Sequence, residues 1–351
     1  MRKINSFDLT KFILSIIVIA IHTKPWIGHM ESFAADRLDL FLNQMIPLFF
    51  LICGYLLFYR IDDAYDRKSL TVVRGAVIRF VKLYFLWTLV YLIPAIYYYA
   101  SDAGMTPLGA LFDYLKLLLI GGAHYYSWQL WYLLSSVYGF LYIWICLKKR
   151  MRSWVIISIS LCIGAFFFLN TEELTSRLLS SGHIWLNAAG NFLLLFQAYH
   201  DCLKGIIFLP LGMIIALRGG GTLKTGSGNG QDQKRTESEI RSLLGLSFLS
   251  AAAFFATRSF FVGILLDVFL FLLLLQIRLP DSGIWAGLRR YSSVAFYTHM
   301  WFVFLLRLYY GSGEDMPGDK CFVLTVLGTL VLFLISELYK QWKAKHSAVL
   351  L

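Results

Sequence analysis

The sequence predicts an all-α integral membrane protein, a helical bundle that crosses the bilayer about ten times with both termini in the cytoplasm. The 351-residue chain is 58% hydrophobic and only 15% charged, a composition far outside that of soluble domains. Its apolar residues form runs of spanning length, and its Lys and Arg residues concentrate in every second loop between them. The first run lacks a signal-peptide cleavage site after it, so we expect it to be retained as a helix.

The predicted spans are apolar runs separated by short polar segments. They cover residues 9–27, 41–59, 76–99, 128–147, 153–169, 199–217, 243–257, 259–277, 292–309 and 321–339. Two further apolar pieces, 108–122 and 184–196, are too short or too interrupted to cross, and we expect them to be interfacial or re-entrant. Residues 1–345 are therefore expected to form a single membrane domain.

One low-complexity stretch, RGGGTLKTGSGNGQDQKRTESE at residues 218–239, interrupts this pattern. Its Gly, Ser and charged residues are typical of a flexible cytoplasmic linker between the sixth and seventh predicted helices. A phosphate-binding loop is disfavoured here, because no strand precedes the glycines and no GK[ST] sequence ends them.

The basic residues test the number of crossings, because cytoplasmic loops hold an excess of Lys and Arg. With the N-terminus inside, the run KKRMR at 148–152 lies in the cytoplasm if 108–122 does not cross. If 108–122 did cross, the same run would lie outside. The Lys and Arg residues behind the net charge of +11 therefore indicate which loops are cytoplasmic. For this reason nucleic acid is not expected as a partner. The five cysteines show no paired spacing, which predicts neither a disulfide framework nor a metal site.

The first span, within DLTKFILSIIVIAIHTKPW, carries ionisable residues that are costly in a bilayer and are therefore functional candidates. Lys11 and His22 are separated by three helical turns plus about 20°, so they share a face, with Asp8 near the same stripe. About 16 Å of helix axis separates Lys11 from His22. A histidine bonded to a neighbouring carbonyl, with a snorkelling lysine, is the structural alternative, and the spacing does not decide between the two.

The third predicted helix opens with VVRGAVIRFVKLYFLW, which places several basic residues at the cytoplasmic boundary. Arg74 is explained as an anchor of the helix end. Arg79 and Lys82 lie one turn apart and slightly deeper, where fixed cationic groups suit a phosphate-bearing ligand that enters from the cytoplasm.

Polar residues in two later helices are candidates for contact with a substrate or for packing. Ser292 and His299, in RYSSVAFYTHMWFVF, could both face the interior of the bundle. Gln129, in WQLWYLLSSVYGFLY, brings polar atoms to the outer end of the fourth helix, where an acceptor molecule could bind.

The remaining irregularities in the apolar runs have less specific interpretations. Pro47 and Gly54, in IPLFFLICGYLLF, break a smooth run and are expected to let helix backbones approach closely. Asp267 and Glu337 are lone acidic residues in or near the membrane, and the sequence does not define their roles.

The inventory of motifs narrows the possible chemistry. The sequence has no GxSxG, no HExxH and no cluster of metal-binding residues, which disfavours hydrolases and metalloenzymes. Acid–base chemistry on the buried His22 is compatible with these motifs. A neutral imidazole can take a proton from a hydroxyl that attacks an activated acyl group. Basic groups at the cytoplasmic mouth would suit the phosphates of an acyl-coenzyme A.

Several segments resemble the acyltransferase-3 family of integral membrane acyltransferases. DLTKFILSIIVIAIH is similar to the first helix of that family, in which an acidic residue, here Asp8, is followed by Arg, ten residues and His. IPLFFLICGYLLF resembles the second-helix pattern FFxxSG, and RGAVIRFVKLYFLW resembles the third-helix pattern RRxxRIxP. LWYLLS, FLPLGMIIA and YSSVAFYTHMWF are similar to later segments. Together they cover most of the chain in order, and the family core has ten helices.

The resemblance implies a role for each matching residue. It makes His22 the essential base, puts Lys11 at the position of the family's Arg, and makes Arg79 and Lys82 basic positions near the acyl donor. His299 falls where the family often has a histidine in the ninth helix.

Three departures from the family pattern indicate a divergent branch. Lys11 replaces Arg and so lacks bidentate geometry. Cys53 stands in place of the usual Ser, and the Pro expected in the third-helix pattern is absent from residues 83–85.

The resemblance implies an O-acyltransferase that moves a small acyl group, expected to be acetyl, from acyl-CoA to a hydroxyl of an envelope or exopolysaccharide sugar. Acetyl-CoA would be a co-substrate and no bound cofactor is expected. The expected surroundings are the lipid bilayer of a bacterial plasma membrane, with an envelope glycan or small molecule as acceptor. The distance from Lys11 to His22 is comparable with an extended pantetheine arm, so a donor held at the cytoplasmic face could present its thioester to His22.

The alternative is a transporter of a serine-like amino acid or another small polar metabolite. The same family occurs as the membrane half of serine racemases, for which a role in amino-acid uptake has been proposed. The buried polar groups would then line an alternating-access path. The sequence shows no inverted repeat, which favours the enzyme.

Overall fold

The computed structural model describes residues 4–59, 61, 63–101, 104–168, 172–219, 230–311 and 317–347. All regular elements of these residues are helical, which confirms the all-α prediction. The α-helices are α1 (Asn5–Thr23), α2 (Ser32–Gln44), α3 (Pro47–Phe58), α4 (Arg67–Val90), α5 (Leu92–Ser101), α6 (Pro107–Lys116), α7 (Trp131–Lys148), α8 (Ser153–Phe168), α9 (Glu172–Leu179), α10 (Ile184–Ala198), α11 (Lys204–Gly219), α12 (Gly230–Thr257), α13 (Phe260–Gln276), α14 (Ile284–Tyr310) and α15 (Gly318–Ser347). A π-helical turn covers Leu117–Gly121, and 3₁₀ turns cover Trp128–Leu130 and His200–Leu203.

Fewer helices than the ten predicted spans have the length and composition expected of a membrane crossing. Within the described ranges, 6 helices are long and apolar enough to span, or 7 if the bent pair α4 and α5 forms one span. The apolar stretches of α8 and α13, Ser153–Phe167 and Phe260–Gln276, are shorter than a typical crossing. The 27-residue α14 carries Arg289, Arg290 and Arg307. The structure thus supports a multi-pass membrane protein and leaves the count of ten unconfirmed.

Prolines account for two irregularities in the predicted spans, of which only the one at Pro47 was indicated by the sequence. The run that we took as one helix over 76–99 bends by 47° between α4 and α5. Pro94, near the start of α5, cannot donate a hydrogen bond to the carbonyl of Val90 four residues earlier. The second predicted span, residues 41–59, is covered by the end of α2 and by α3. The helix that begins at Ser32 is interrupted before Pro47, which opens α3, a position where proline loses no helical hydrogen bond.

The helix α12 begins inside the segment for which we predicted a linker. Residues 220–229 of that segment lie outside the described residues, whereas residues 230–239 form the first turns of α12. The sequence from Gly230 onward contains Gln, Lys, Arg and Glu, which favour helix, and no further glycine before Gly245. The end that we predicted for the linker, residue 239, therefore lies inside α12.

The chain divides into two compact units. The first combines the two ends of the chain, Met1–Ile46 and Leu272–Leu351, and the second is the continuous segment Pro47–Phe271.

In the first unit, α1 packs against α14 and α15. Ile19, Tyr291 and Ala295 form the centre of this packing. The hydroxyl of Tyr291 lies 3.1 Å from Oγ1 of Thr329 on α15, which gives the buried phenol a hydrogen-bond partner.

Hydrogen bonds also fix the start of α1 to the last third of the chain. The side-chain amide of Asn5 donates to the carbonyl of Pro280 (3.2 Å) and to the carboxylate of Asp281 (3.0 Å). The hydroxyl of Ser6 donates to the carbonyl of Leu274 at 2.9 Å. Since Asn5 and Ser6 are buried, these bonds satisfy polar groups that would otherwise be costly.

In the second unit, α11 packs against α3, α7 and α8, and α4 packs against α7. Gly54 of α3 faces the backbone of α11, and a Cβ at this position would collide with the carbonyl oxygen of Leu209. Gly212 of α11 in turn faces the carbonyl of Leu51. The close approach of helix backbones that we expected at Gly54 is therefore present between α3 and α11, as at small-residue contacts in other membrane helices.

We expect Gly54→Ala to destabilise the second unit by about 1–3 kcal/mol or more, because the added methyl group meets rigid backbone. Gly75→Ala on α4 is the matched control, since open space surrounds that position. Alanine favours a helix interior over glycine by about 1 kcal/mol, so the control should keep or raise the melting temperature. Thermal unfolding of both variants in detergent measures the difference, and equal melting temperatures would contradict the packing that we describe.

Candidate functional site

His22 and His299 form the most direct contact between two residues that the sequence singled out. Their rings stack with centroids 5.3 Å apart and an interplanar angle of 20°. His22 lies in the last turn of α1, and His299 lies on the middle of α14. The packing of α1 against α14 thus brings two imidazoles from opposite ends of the chain together.

The hydrogen bonds of His299 define which of its nitrogens is available. His299 is fully buried, and its Nδ1 lies 2.9 Å from the carbonyl oxygen of Ala295, one turn earlier. Because a carbonyl can only accept, Nδ1 carries the proton in this contact. In the neutral ring, Nε2 is then an acceptor, and it has no hydrogen-bond partner among the residues that the structure describes.

An ion pair between a buried carboxylate and an exposed guanidinium lies nearer the start of α1. The carboxylate of Asp8, 8% exposed, accepts a hydrogen bond from Nη1 of Arg289 at 3.3 Å. The sequence places Arg289 in a predicted cytoplasmic loop between two spans and does not indicate its pairing with Asp8. Asp8 itself indicates that a cation lies nearby, since a buried carboxylate requires a cationic partner. The sequence does not show which Lys or Arg that partner is.

The first unit also gives Glu337 a definite role. Its carboxylate pairs with the guanidinium of Arg290 at 2.8 Å and with the ammonium of Lys340 at 3.0 Å. The contact with Arg290 joins α15 to α14, and the contact with Lys340 lies within α15, so Glu337 has a structural explanation. Asp267 of the second unit is completely buried on α13.

The other predicted residues of the first unit lie on the helices that carry the two histidines. Lys11 is half-buried on α1, three turns before His22. Ser292 is buried on α14, and its hydroxyl donates to the carbonyl of Leu288 at 2.7 Å. Since Ser292 and His299 are separated by two turns minus about 20°, they face the same side of α14.

Arg79 and Lys82 belong to the second unit and are exposed on α4. The guanidinium of Arg79 lies 5.7 Å from the centroid of the Phe80 ring. Neither cation forms an ion pair with a residue in the described part of the chain. Both charges are therefore accessible to a ligand, and Coulombic attraction to phosphate would not compete with an internal carboxylate.

Gln129 and His124 are two buried polar side chains of the second unit. Gln129 is 2% exposed, and nearby His124 is 3% exposed. Neither amide atom of Gln129 and neither ring nitrogen of His124 has a hydrogen-bond partner among the described residues. Burial lowers the pKa of His124 to about 4, although the carboxylate of Asp113 acts in the opposite direction. His124 is therefore uncharged at neutral pH.

Sequence reasoning selected Gln129 but missed His124. His124 lies in a short loop after a π-helical turn, where hydrophobic periodicity carries no information on burial. The one available signal was the density of aromatic residues around it in HYYSW.

The three groups of side chains differ in what they can do chemically. The stacked imidazoles of His22 and His299 can take up and release a proton next to a reacting hydroxyl. The exposed cations of α4 can hold an anion, and the uncharged His124 and Gln129 can each donate and accept a hydrogen bond.

Comparison with known proteins identifies one relationship. A family model described as an acyltransferase domain matches residues 4–338. Neither the search of curated proteins nor the search of solved structures gave a match. The family match covers nearly the whole chain, including both imidazoles, the basic residues of α4 and the loop that contains His124.

Proposed function

Because this chain belongs to the acyltransferase-3 family and is a membrane acyltransferase, we propose that it transfers an acetyl group from acetyl-CoA to a hydroxyl of an envelope or exopolysaccharide sugar. The multi-pass fold would hold the enzyme in the plasma membrane of a bacterium. The donor would be a soluble cytoplasmic co-substrate, and the acceptor would be presented nearer the outer face.

In the proposed reaction, His22 acts as the general base. One nitrogen of its imidazole takes the proton of the acceptor hydroxyl while the hydroxyl oxygen forms a bond to the thioester carbonyl carbon. Collapse of the tetrahedral intermediate breaks the carbon–sulfur bond, and His22 returns the proton to the departing thiolate. The products are the acetyl ester and free coenzyme A, and His22 ends in its starting protonation state.

The stacked contact of His22 with His299 is the observation that supports this proposal most strongly. The carbonyl of Ala295 holds the His299 ring through Nδ1, so this ring fixes the plane against which His22 lies. A base with a fixed orientation loses less entropy when it meets the reacting hydroxyl. His299 would therefore act as a positioning residue for His22.

The test uses the purified full-length protein in detergent with radiolabelled acetyl-CoA and two neutral acceptor probes, cellobiose and N,N′-diacetylchitobiose. We expect acetyl-CoA to raise the melting temperature, because it binds the folded state, and an added disaccharide to accelerate release of coenzyme A with label in the sugar. If acetyl-CoA neither stabilises the protein nor is consumed, the proposal fails. Uptake of serine into proteoliposomes without consumption of acetyl-CoA would identify a transporter instead.

A further inference from the structure

His124 and Gln129 are an unusual combination of buried and unpaired polar side chains. Their four polar atoms are removed from solvent, and none has a hydrogen-bond partner among the residues that the structure describes. Folding removes water from such groups without replacing its hydrogen bonds, which is unfavourable. Native proteins keep few such groups, and each requires an explanation, commonly a role in binding or catalysis.

The segment that leads to His124 is held by side chains from three other elements. The π-helical turn Leu117–Gly121 ends a helical segment, and the last carbonyl groups of a helix have no donor within the helix. The hydroxyl of Tyr84 donates to the carbonyl of Leu118 at 2.7 Å, Tyr138 donates to Leu119, and the thiol of Cys202 donates to Gly121 at 2.8 Å. Turns of this kind occur frequently at functional sites.

The loop itself is also fixed. The backbone N–H of His124 donates to Oγ of Ser127 at 2.9 Å, and the N–H of Ser127 donates back to the carbonyl of His124 at 2.9 Å. Between them, Tyr126 adopts a φ of 60°, a left-handed conformation that is unfavourable for a residue with a large side chain. The surrounding bonds keep the loop in this strained state, as at ligand-binding sites that are formed before the ligand arrives.

Aromatic rings lie against His124 and along the loop between His124 and Gln129. The His124 ring stacks on Tyr114 with centroids 4.0 Å apart, and Tyr125 stacks on Tyr98 at 3.8 Å. Trp128, directly before Gln129, lies 5.7 Å from Tyr125 and remains half-buried. Half-buried ring faces of this kind can pack against the C–H face of a sugar ring, while the neighbouring amide and imidazole bond to its hydroxyls.

Two charged side chains beside this cluster already form an ion pair with each other. The ammonium of Lys116 lies 2.6 Å from the carboxylate of Asp113, and the hydroxyl of Tyr99 donates to the other carboxylate oxygen at 2.7 Å. A site for coenzyme A phosphates would instead need cations that are not already paired. The cluster therefore favours a neutral, hydroxyl-rich ligand over the acyl donor.

We propose that the aromatic cluster at His124, together with the buried amide of Gln129 that follows it in the chain, is the binding site for the neutral sugar that accepts the acyl group. This inference rests on the proposed function for the identity of the ligand as an acceptor. The amide of Gln129 would donate to one hydroxyl and accept from another, and the neutral imidazole of His124 would do the same through its two nitrogens. Tyr125 and Trp128 would pack against the sugar ring.

The test replaces each polar side chain by an apolar one of similar shape, Gln129→Leu and His124→Phe, with His183→Phe at an exposed histidine of the same unit as the matched control. Binding of cellobiose and N,N′-diacetylchitobiose to the full-length protein is measured by saturation-transfer NMR and calorimetry. We expect Kd for the disaccharide to rise about tenfold or more in each variant, because at least one hydrogen bond is lost. The control should bind as the wild type does.

A measurement of stability separates binding from a structural role. If the polar atoms serve a ligand, their replacement removes unpaired groups from the ligand-free protein, and the melting temperature should stay equal or rise. If the atoms stabilise the fold, both variants should melt at lower temperature. The second result would overturn the proposal, as would unchanged disaccharide binding in both variants or binding of neither disaccharide by the wild type.

These outcomes can be told apart from failure of the proposed function. Stabilisation by acetyl-CoA depends on the donor and should persist in Gln129→Leu and His124→Phe. If the wild type transfers acetyl groups and both variants do so with unchanged KM for the disaccharide, the transferase stands and the sugar site is refuted. If the disaccharide binds at the cluster and acetyl-CoA is not consumed, the sugar site stands and the transferase is refuted.

Discussion

Replacement of His22 by alanine should lower the rate of acetyl transfer by about 10²–10⁴-fold, the contribution typical of a positioned general base. The substitution removes the imidazole that stacks on His299 and leaves the cations of α4 unchanged. Stabilisation by acetyl-CoA should therefore persist while coenzyme A release falls. Rates of labelled ester formation, together with melting temperatures with and without acetyl-CoA, measure both effects on the same preparation.

Two companion variants sharpen this experiment. His183→Ala removes an exposed histidine before α10 and should leave transfer unchanged. His299→Phe keeps an aromatic ring beside His22 but loses the hydrogen bond to Ala295, so it should reduce transfer less than His22→Ala does. Full transfer activity in His22→Ala would refute the proposed mechanism. Equal losses in His22→Ala and His299→Phe would instead assign direct chemistry to both rings.

The double variant Arg79→Ala with Lys82→Ala should lose most of its affinity for acetyl-CoA. A hydrogen bond between charged groups contributes about 1.5–3 kcal/mol, so the loss of two phosphate contacts should raise Kd by about 10²-fold or more. The rise in melting temperature on addition of acetyl-CoA should disappear at concentrations that stabilise the wild type. Titration of the ligand in a thermal-shift assay provides the measurement.

Arg74→Ala is the matched control for this pair, because Arg74 lies on the same helix and is equally exposed. It should retain the acetyl-CoA response. The exchange Arg79→Lys with Lys82→Arg, which keeps both charges, should restore part of the affinity. If the double alanine variant responds to acetyl-CoA as the wild type does, another part of the chain holds the donor phosphates.

Much of the helical architecture could be predicted because long apolar runs have few alternatives in a membrane. The first helix is the clearest case: its length, and the face shared by Lys11 and His22, follow from spacing alone. The bend before Pro94 and the early start of α12 were missed, since apolar runs show where a helix can cross and not where it bends or extends into water. Predicted boundaries failed where a proline or a polar helix former decided the outcome.

The sequence identifies candidate residues but not the partners that they contact in the fold. The sequence singled out both His22 and His299, yet the stacking of their rings depends on how α1 meets α14, which no local pattern encodes. Arg289 was missed for the same reason, because its pairing with Asp8 joins residues that are distant in sequence. His124 was missed because a loop residue becomes buried only through tertiary packing around it.

The division of the chain also bears on the order in which the protein is made. Residues 47–271 of the second unit leave the ribosome consecutively and can pack as they are inserted. Helix α1 is synthesised before all of them, but Arg289, Thr329 and the carbonyl of Pro280, which belong to its unit, are synthesised near the end. The guanidinium of Arg289 that pairs with the carboxylate of Asp8 is therefore synthesised 281 residues after it. The helix that enters the membrane first reaches its final neighbours last, so a truncated chain would lack the stacked imidazole pair.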